Sequence, residues 1–242
     1  MSRVTPHLSL VVPAHDEQES LPLLFERVRH VLGEGRDWEL VLVDDGSRDE
    51  TARVIRELAR GDSHVVGVFL EQNCGQSSAL AAGFLEARGE VIASLDADLQ
   101  NDPADIPGLV DRLPGHDAVV GFRERRHDTW VRRVSSHIAN AVRNQLSKDS
   151  IRDTGCSLKV FRAEALRSIP WFDGMHRFLP TLLRYHGWDV IEAPVSHHPR
   201  HAGRSKYGIR NRALRAFVDL LGVRWMRSRR IRTPVHEVIR GA

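Results

Sequence analysis

Between residues 8 and 121, short apolar runs alternate with stretches of helical periodicity. This alternation constrains the fold more than any other feature of the chain. The near-continuous apolar runs are "LSLVVP" (8–13), "WELVLV" (38–43), "VVGVFL" (65–70), "VIASL" (91–95) and "DAVVG" (117–121). Runs of this kind suit strands buried on both faces. Between them, residues 20–32, 49–60 and 75–88 repeat apolar positions at helical spacing, and the last stretch is rich in small residues that allow close packing. The order predicts an α/β fold, a mostly parallel sheet with helices on both faces. A length of 242 residues and 41% hydrophobic content fit one large domain, or a core with an elaborated end.

In such sheets ligands collect beyond the C-terminal ends of the strands. Three acidic turns lie there. The first strand runs into Pro13-Ala14-His15-Asp16-Glu17, the second into Asp44-Asp45-Gly46-Ser47, and the fourth into Asp96-Ala97-Asp98-Leu99-Gln100. Carboxylates this close repel one another unless a cation joins them. Mg²⁺ or Mn²⁺ takes carboxylate, carbonyl and water ligands and often completes its shell with substrate phosphates. An isolated Asp-x-Asp before Pro103 reads first as an acidic helix start. Three converging acidic turns favour the metal. A dinucleotide-binding reading fails, because no G-x-G-x-x-G follows the first strand.

Arginines follow the fifth strand, in "GFRERR" (121–126) and "WVRRVSSHIAN" (130–140). A guanidinium fork matches phosphate oxygens. Acids that hold a metal beside clustered arginines point to a site for two phosphorylated groups.

Eight pieces in order carry a family resemblance: "VVPAHDE", "LVDDGSRDET", "NCGQSSALAAG", "DADLQNDP", "GFRERR", "DTGCSLKVFR", "GMHRFLP" and "RHAGRSKYG", together spanning roughly residues 8–210. The chain resembles the family 2 glycosyltransferases of GT-A fold, and among them the polyprenyl-phosphate (dolichol-phosphate mannose synthase-like) enzymes. By that resemblance Pro13, Ala14, Glu17, Val43 and Asp45 match positions that hold the nucleoside of a sugar donor. Asp96, Ala97 and Asp98 match the segment that meets the diphosphate and sugar. Asp98 and Gln100 match the metal ligands, for Mg²⁺ or Mn²⁺. Arg123, Arg132 and Ser136 match an acceptor-phosphate pocket, and Arg200 and Lys206 match a loop that closes over the donor. Asp96, Asp98, Arg123 and Arg132 are the residues expected to carry catalysis. The pattern is departed from at His15 and Asp16, where Asp16 stands in place of Asn, and at Ser157, in place of Gly.

Many such relatives carry transmembrane helices after the catalytic domain. Here no window approaches the ~18–20 apolar residues of a span. Residues 200–242 hold 12 Lys/Arg against 2 Asp/Glu, net +10, while residues 1–199 are net −7. Within 210–230, Leu214, Phe217, Val218, Leu221 and Trp225 recur at helical steps among arginines. This describes either an interfacial helix on an anionic bilayer or a helix packed on the domain. The expected division is a catalytic domain over 1–209 and a basic docking segment over 210–242. The first residues form no signal peptide, and two cysteines are too few for a disulfide framework. The expected location is cytoplasmic and peripheral on the inner membrane face, where a small membrane protein would supply further grip.

The expected reaction moves a sugar from a nucleotide-diphosphate sugar to a polyprenyl phosphate, with inversion as the resemblance implies. The acceptor is a phosphate monoester, with a second pKa near ~6 by analogy with phosphoserine. It is ionised at neutral pH and needs positioning more than a general base. Two alternatives differ from this. A soluble hydroxyl acceptor would need a base, for which Asp153 in "RDTGC" is the candidate. A non-catalytic nucleotide- or RNA-binding protein would leave the acidic turns unexplained, and the chain lacks aromatic stacking motifs, so no nucleic-acid partner is expected. A polymerising synthase is disfavoured by the lack of a Q-x-x-R-W motif.

Overall fold

The structure is a computed structural model. It describes residues 6–34, 37–123, 151–199 and 209–229, the last helix by its side chains from 217 onward. Seven strands form one sheet: β1 (Leu8–Ala14), β2 (Trp38–Asp44), β3 (Val65–Phe69), β4 (Val91–Ser94), β5 (Ala118–Arg123), β6 (Lys159–Arg162) and β7 (Val190–Val195). Their spatial order is β3-β2-β1-β4-β6-β5-β7. Strands β1 to β4 pair in parallel, as do β5 and β7. Strand β6 runs antiparallel to both neighbours, β4 and β5.

The apolar runs become strands for the reason that predicts them. Every residue of β2 and β4 is buried, and β1 is buried except at Pro13. Helices cover both faces. One core layer joins the sheet to α1 (Ser20–Leu32), α2 (Thr51–Gly61) and α4 (Asp105–Val110), through Leu21, Leu24, Phe25, Ile55, Ile106 and Leu109. The other joins it to α3 (Gln76–Glu86), α5 (Ala163–Arg167), a 3-10 turn at Met175–Arg177, α6 (Leu179–Tyr185) and α7 (Ile209–Ser228).

Two strands lie beyond the five expected ones. Strand β6 is only Lys-Val-Phe-Arg, too short and too charged at its ends to announce itself. Strand β7 contains Pro194 and lies at the sheet edge, where a missing N–H costs no ladder bond. The sheet is therefore mixed around a parallel half.

Helix α7 meets the core with Leu220 and Val223, both buried. It leaves Phe217, Val218, Leu221 and Trp225 exposed, Trp225 at 62%. Leu214, the first residue of the expected stripe, lies outside the described side chains.

Helix α3 crosses the sheet closely because Gly83 faces it. A Cβ there would stand 2.4 Å from Val11 Cγ1 and 2.9 Å from Val43 Cγ2. Replacement by Ala must push the helix off β1 and β2, at about 1–3 kcal/mol for overpacking of this kind. Urea denaturation of Gly83→Ala should show a lower midpoint with an unchanged slope. A midpoint equal to that of the parent chain would mean that this contact yields freely.

Candidate active site

Parallel pairing places Ala14 beside Asp44 and Val11 beside Ser94, so the turns after β1, β2 and β4 open at one edge. The first two turns are tied together. The Asp16 amide donates to Ser47 Oγ (3.0 Å), and the Arg48 amide donates back to Asp16 Oδ1 (2.8 Å). Asp16 has φ +52°, a left-handed conformation that Asp, like Asn, accepts more readily than most residues. The Glu17 amide donates to Thr51 Oγ1, and its carboxylate accepts from Ser20 Oγ (2.6 Å).

Asp45 is buried, 4% exposed, and its carboxylate is met mostly by backbone. It accepts from the amides of Cys74 (2.7 Å) and Gly75 (3.0 Å) and from Asn73 Nδ2 (3.2 Å). Successive N–H groups aimed at one carboxylate form a cradle of backbone donors. Gly46, at φ +62°, is required beside it, because a Cβ would collide with Asn73 N at 2.4 Å. Val43 and Ala14 are buried in the two core layers, so they face the site with their backbone.

The third turn is held from two sides. Gln76 Nε2, at the start of α3, donates to Asp96 Oδ1 (2.8 Å). The Asp96 amide donates to Ser157 Oγ (3.3 Å), which itself donates to Asn101 Oδ1 (2.9 Å). Ser157, where the family pattern has Gly, thus supplies a hydroxyl that fixes the turn. Ala97 and Leu99 are buried, and Leu99 sits at φ +60°, an outlier for a branched residue. That bend brings the Gln100 amide back onto Asp98 Oδ1 (3.1 Å), while the Gln100 carbonyl accepts from the His198 amide (2.8 Å). Backbone strain of this sort persists where surrounding contacts over-determine it, commonly at functional sites.

Arg123, at the end of β5, forms a two-pronged pair with Asp153, Nε to Oδ2 at 2.7 Å and Nη2 to Oδ1 at 2.9 Å. Asp153 also accepts from the Gly155 amide. His197 follows β7. Burial first, and then the Arg123 charge, push its imidazole below the usual histidine value, against the opposing pull of Asp98 and Asp153. The ring is therefore neutral at pH 7, and its buried Nδ1 has no hydrogen-bond partner. This places the metal-type turn and Arg123 around one imidazole.

Beneath the same loop lies Lys159, whose Nζ donates to the carbonyl of Cys156. Lys159, His197 and Gln76 are not singled out by the sequence, and Ser157 only as a departure from the family pattern. Each depends on contacts between distant strands, and only His197, in "HHPRH", carries a local signal.

Arg132, Ser136, Arg200 and Lys206 lie outside the described residues. Among the described residues, no three Asp, Glu, His or Cys side chains converge into a closed cation cage. The donors on the third turn are the Asp96 and Asp98 carboxylates and the Gln100 side chain. A sparse hard-oxygen set fits Mg²⁺ or Mn²⁺, ions that retain positions for phosphate and water.

A family model described as glycosyl transferase family 2 matches residues 9–169, from β1 to just beyond α5. The chain is 40% identical over 205 residues to the undecaprenyl-phosphate 4-deoxy-4-formamido-L-arabinose transferase of Edwardsiella ictaluri, covering 84% of this chain and 63% of that protein. It is 40% identical over 223 residues to the dodecaprenyl-phosphate galacturonate synthase of Rhizobium johnstonii, covering 89% and 66%. It thus spans slightly under two thirds of the length of these relatives. The fold is shared with the glucosyl-3-phosphoglycerate synthase of Mycobacterium tuberculosis, solved with Mn²⁺, uridine-diphosphate and phosphoglyceric acid. That likeness has a TM-score of 0.68 at 20% identity, over 95% of this chain and 81% of the other. A mannosyltransferase from Pyrobaculum calidifontis, solved with GDP-Man and Mn²⁺, gives a TM-score of 0.59 at 21% identity, over 79% and 55%. Every described turn of the site up to Lys159 falls inside the matched region, and the chain belongs to glycosyl transferase family 2.

Proposed function

We propose that the protein transfers a sugar from a nucleotide-diphosphate sugar to a polyprenyl phosphate, with inversion at the anomeric carbon. The observation that carries this reading is that the Asp98–Gln100 turn and the Arg123 fork both act on one imidazole, that of His197. Two relatives at 40% identity, each named for a sugar transfer involving a polyprenyl phosphate, support the acceptor class.

Pro13, Ala14, Glu17, Val43 and Asp45 line the nucleoside end. The buried residues among them act through backbone, and Asp45 acts through the loop 73–75 that it holds. Asp96, Ala97 and Asp98 face the diphosphate and sugar, and Arg200 and Lys206 add positive charge over it. Asp98 and Gln100 would hold a divalent cation, Mg²⁺ or Mn²⁺. Such an ion, when bound, neutralises a leaving diphosphate. Arg123, Arg132 and Ser136 orient the acceptor phosphate. That phosphate is already ionised, so the enzyme supplies position and charge rather than a base.

The geometry disfavours a hydroxyl acceptor. Asp153 would have to serve as base, yet both its oxygens sit in the Arg123 fork. Its role here is to hold the guanidinium. A nucleic-acid-binding role leaves the acidic edge without purpose, because carboxylates repel phosphate unless a cation intervenes.

The exposed stripe of α7 and its exposed Arg224, Arg227 and Arg229 suit a cytoplasmic enzyme docked peripherally on the inner membrane face. Among the described residues no helix is long and apolar enough to cross a membrane. Residues 210–242 form the docking segment in this reading, and a small membrane protein would reinforce the attachment.

Asp98→Ala should abolish transfer while leaving the circular dichroism of the chain intact. Full activity in this variant, or of the parent chain in EDTA, would sink the metal-dependent reading. Arg123→Lys keeps a charge for Asp153 but loses the fork. The acceptor KM should rise about tenfold or more, the loss of one charge-assisted bond at ~1.5–3 kcal/mol, with donor affinity unchanged. The reverse pattern would assign Arg123 to the donor.

For docking, the whole chain should float with anionic vesicles at low salt and be released as salt screens the arginines. The pair Phe217→Ser and Trp225→Ser spares the buried Leu220 and Val223 and should stay in the soluble fraction. If it floats equally well, the stripe is not the docking face. If the parent chain never floats, yet is captured by a membrane protein through α7, the surface belongs to that partner and lipid docking is wrong.

A further inference from the structure

Strand β7 ends at Val195, which is buried and pairs with Arg123 at the end of β5. The residues that follow, Ser196, His197 and His198, run from there to the third acidic turn. Both ends of the segment are tied to it. The Ser196 amide donates to Asp105 Oδ2 (2.7 Å), and the Ser196 hydroxyl donates to Asp105 Oδ1 (3.4 Å). The His198 amide donates to the Gln100 carbonyl (2.8 Å), and His198 Nε2 stands 3.3 Å from Asp102 Oδ2.

Acidic residues at the start of a helix have an ordinary use. Asp102 Oδ1 accepts from the Ala104 amide (3.0 Å), which closes the turn before α4. A carboxylate in the first helical turn, such as Asp105, is favoured by the helix dipole. That use asks nothing of Ser196, yet Asp105 turns both its oxygens to that residue. Ser196 and His198 are exposed, and polar contacts at such a surface contribute little to the stability of a whole chain. What they fix is local, the course of the segment itself.

We propose that Ser196–His198 is the spacer between the two halves of the reaction site, with Asp105 as its positioning residue. One end of the segment lies beside Arg123, and the other holds the backbone of Gln100. From Val195 to His198 the chain can span at most about 10 Å, so the two ends stay close while both are tied. This rests on the functional reading above, in which Gln100 belongs to the donor side and Arg123 to the acceptor side. An acceptor phosphate that needs no base depends on being held in line with the sugar carbon, and rate falls steeply when aligned groups are misplaced. Without the tie each half would still bind its own ligand, but their spacing would be loose. Asp105 acts through Ser196 and touches neither ligand.

Two variants of the full chain test this. Asp105→Ala removes both acceptors. Asp105→Asn keeps an acceptor for the Ser196 amide and offers a donor to the Ser196 hydroxyl. Amide hydrogen exchange, followed by NMR without any ligand, should be slow at Ser196 and His198 in the parent and in Asp105→Asn, and faster in Asp105→Ala. Steady-state transfer should show kcat lowered about tenfold or more in Asp105→Ala, since a misplacement of an ångström costs up to about a hundredfold. The KM values for donor and acceptor should both stay near those of the parent. Asp105→Asn should keep most of the parent kcat. Should Asp105→Ala fold poorly, His198→Ala, which releases Asp102 at the other end, is read in the same two ways.

Exchange at Ser196 and His198 that is fast in the parent, or unchanged in Asp105→Ala, overturns the tie. A parental kcat in Asp105→Ala overturns the spacing role, as does an Asp105→Asn variant that falls as far. A loss carried by KM with kcat kept would mean that the segment serves binding, and likewise overturns it. If the parent chain moves no sugar to a polyprenyl phosphate, the functional reading fails and the spacing role with it. That outcome is told apart from the others because exchange at Ser196 and His198 does not depend on transfer.

Discussion

The carboxylate of Asp45, buried at the end of β2 and met by the amides of Cys74 and Gly75, is the interaction on which the site depends. A charge placed there is stable only because backbone N–H groups converge on it, and charge-assisted bonds of this kind are among the stronger ones available to a protein. The bond does more than satisfy Asp45. It fixes the loop before α3, and α3 in turn presents Gln76 to Asp96 on a different strand. Gly83 lets the same helix settle against β1 and β2. The end of β2, the start of α3 and the turn after β4 thus move as one piece, and the geometry of the third acidic turn is inherited from the second.

The edge that results collects carboxylates and distributes their partners unevenly. Asp45 is answered by backbone, Asp153 by a guanidinium fork and Asp96 by an amide. Asp98 accepts from the amide of Gln100 and lies beside a neutral imidazole. Each answer differs in how much positive charge it contributes.

Much of this was legible in the sequence, for identifiable reasons. Helix α1 coincides with the expected 20–32, because its apolar positions repeat cleanly and face one core layer. The five apolar runs became strands because burial on both sheet faces leaves a continuous signal. The acidic turns read as a set, since parallel topology alone brings strand ends together. Strand β6 and the residues beneath the site were not legible, because their roles arise from pairing across long sequence distances. Lys159 looks like a surface residue until Ser94 and Val120 are placed on either side of it. The pairing of Arg123 with Asp153 is hidden for the same reason. Helix α7 is visible in the sequence as a helix, and its packed and interfacial readings concern different faces of it. The structure has one turn of it held by Leu220 and Val223 and another apolar face left open.

The antiparallel course of β6 has a consequence for what holds such a site together. Arg123 leaves the upper end of β5, and Asp153 arrives just before β6, its direct neighbour in the sheet. The distance between the two side chains is set by a ladder of strand hydrogen bonds, continued by the Gly121 amide to the Leu158 carbonyl (3.0 Å). The spacing of the clasp is thus a property of the sheet, and a slip of register between β5 and β6 would undo it without any change at Arg123 or Asp153 themselves.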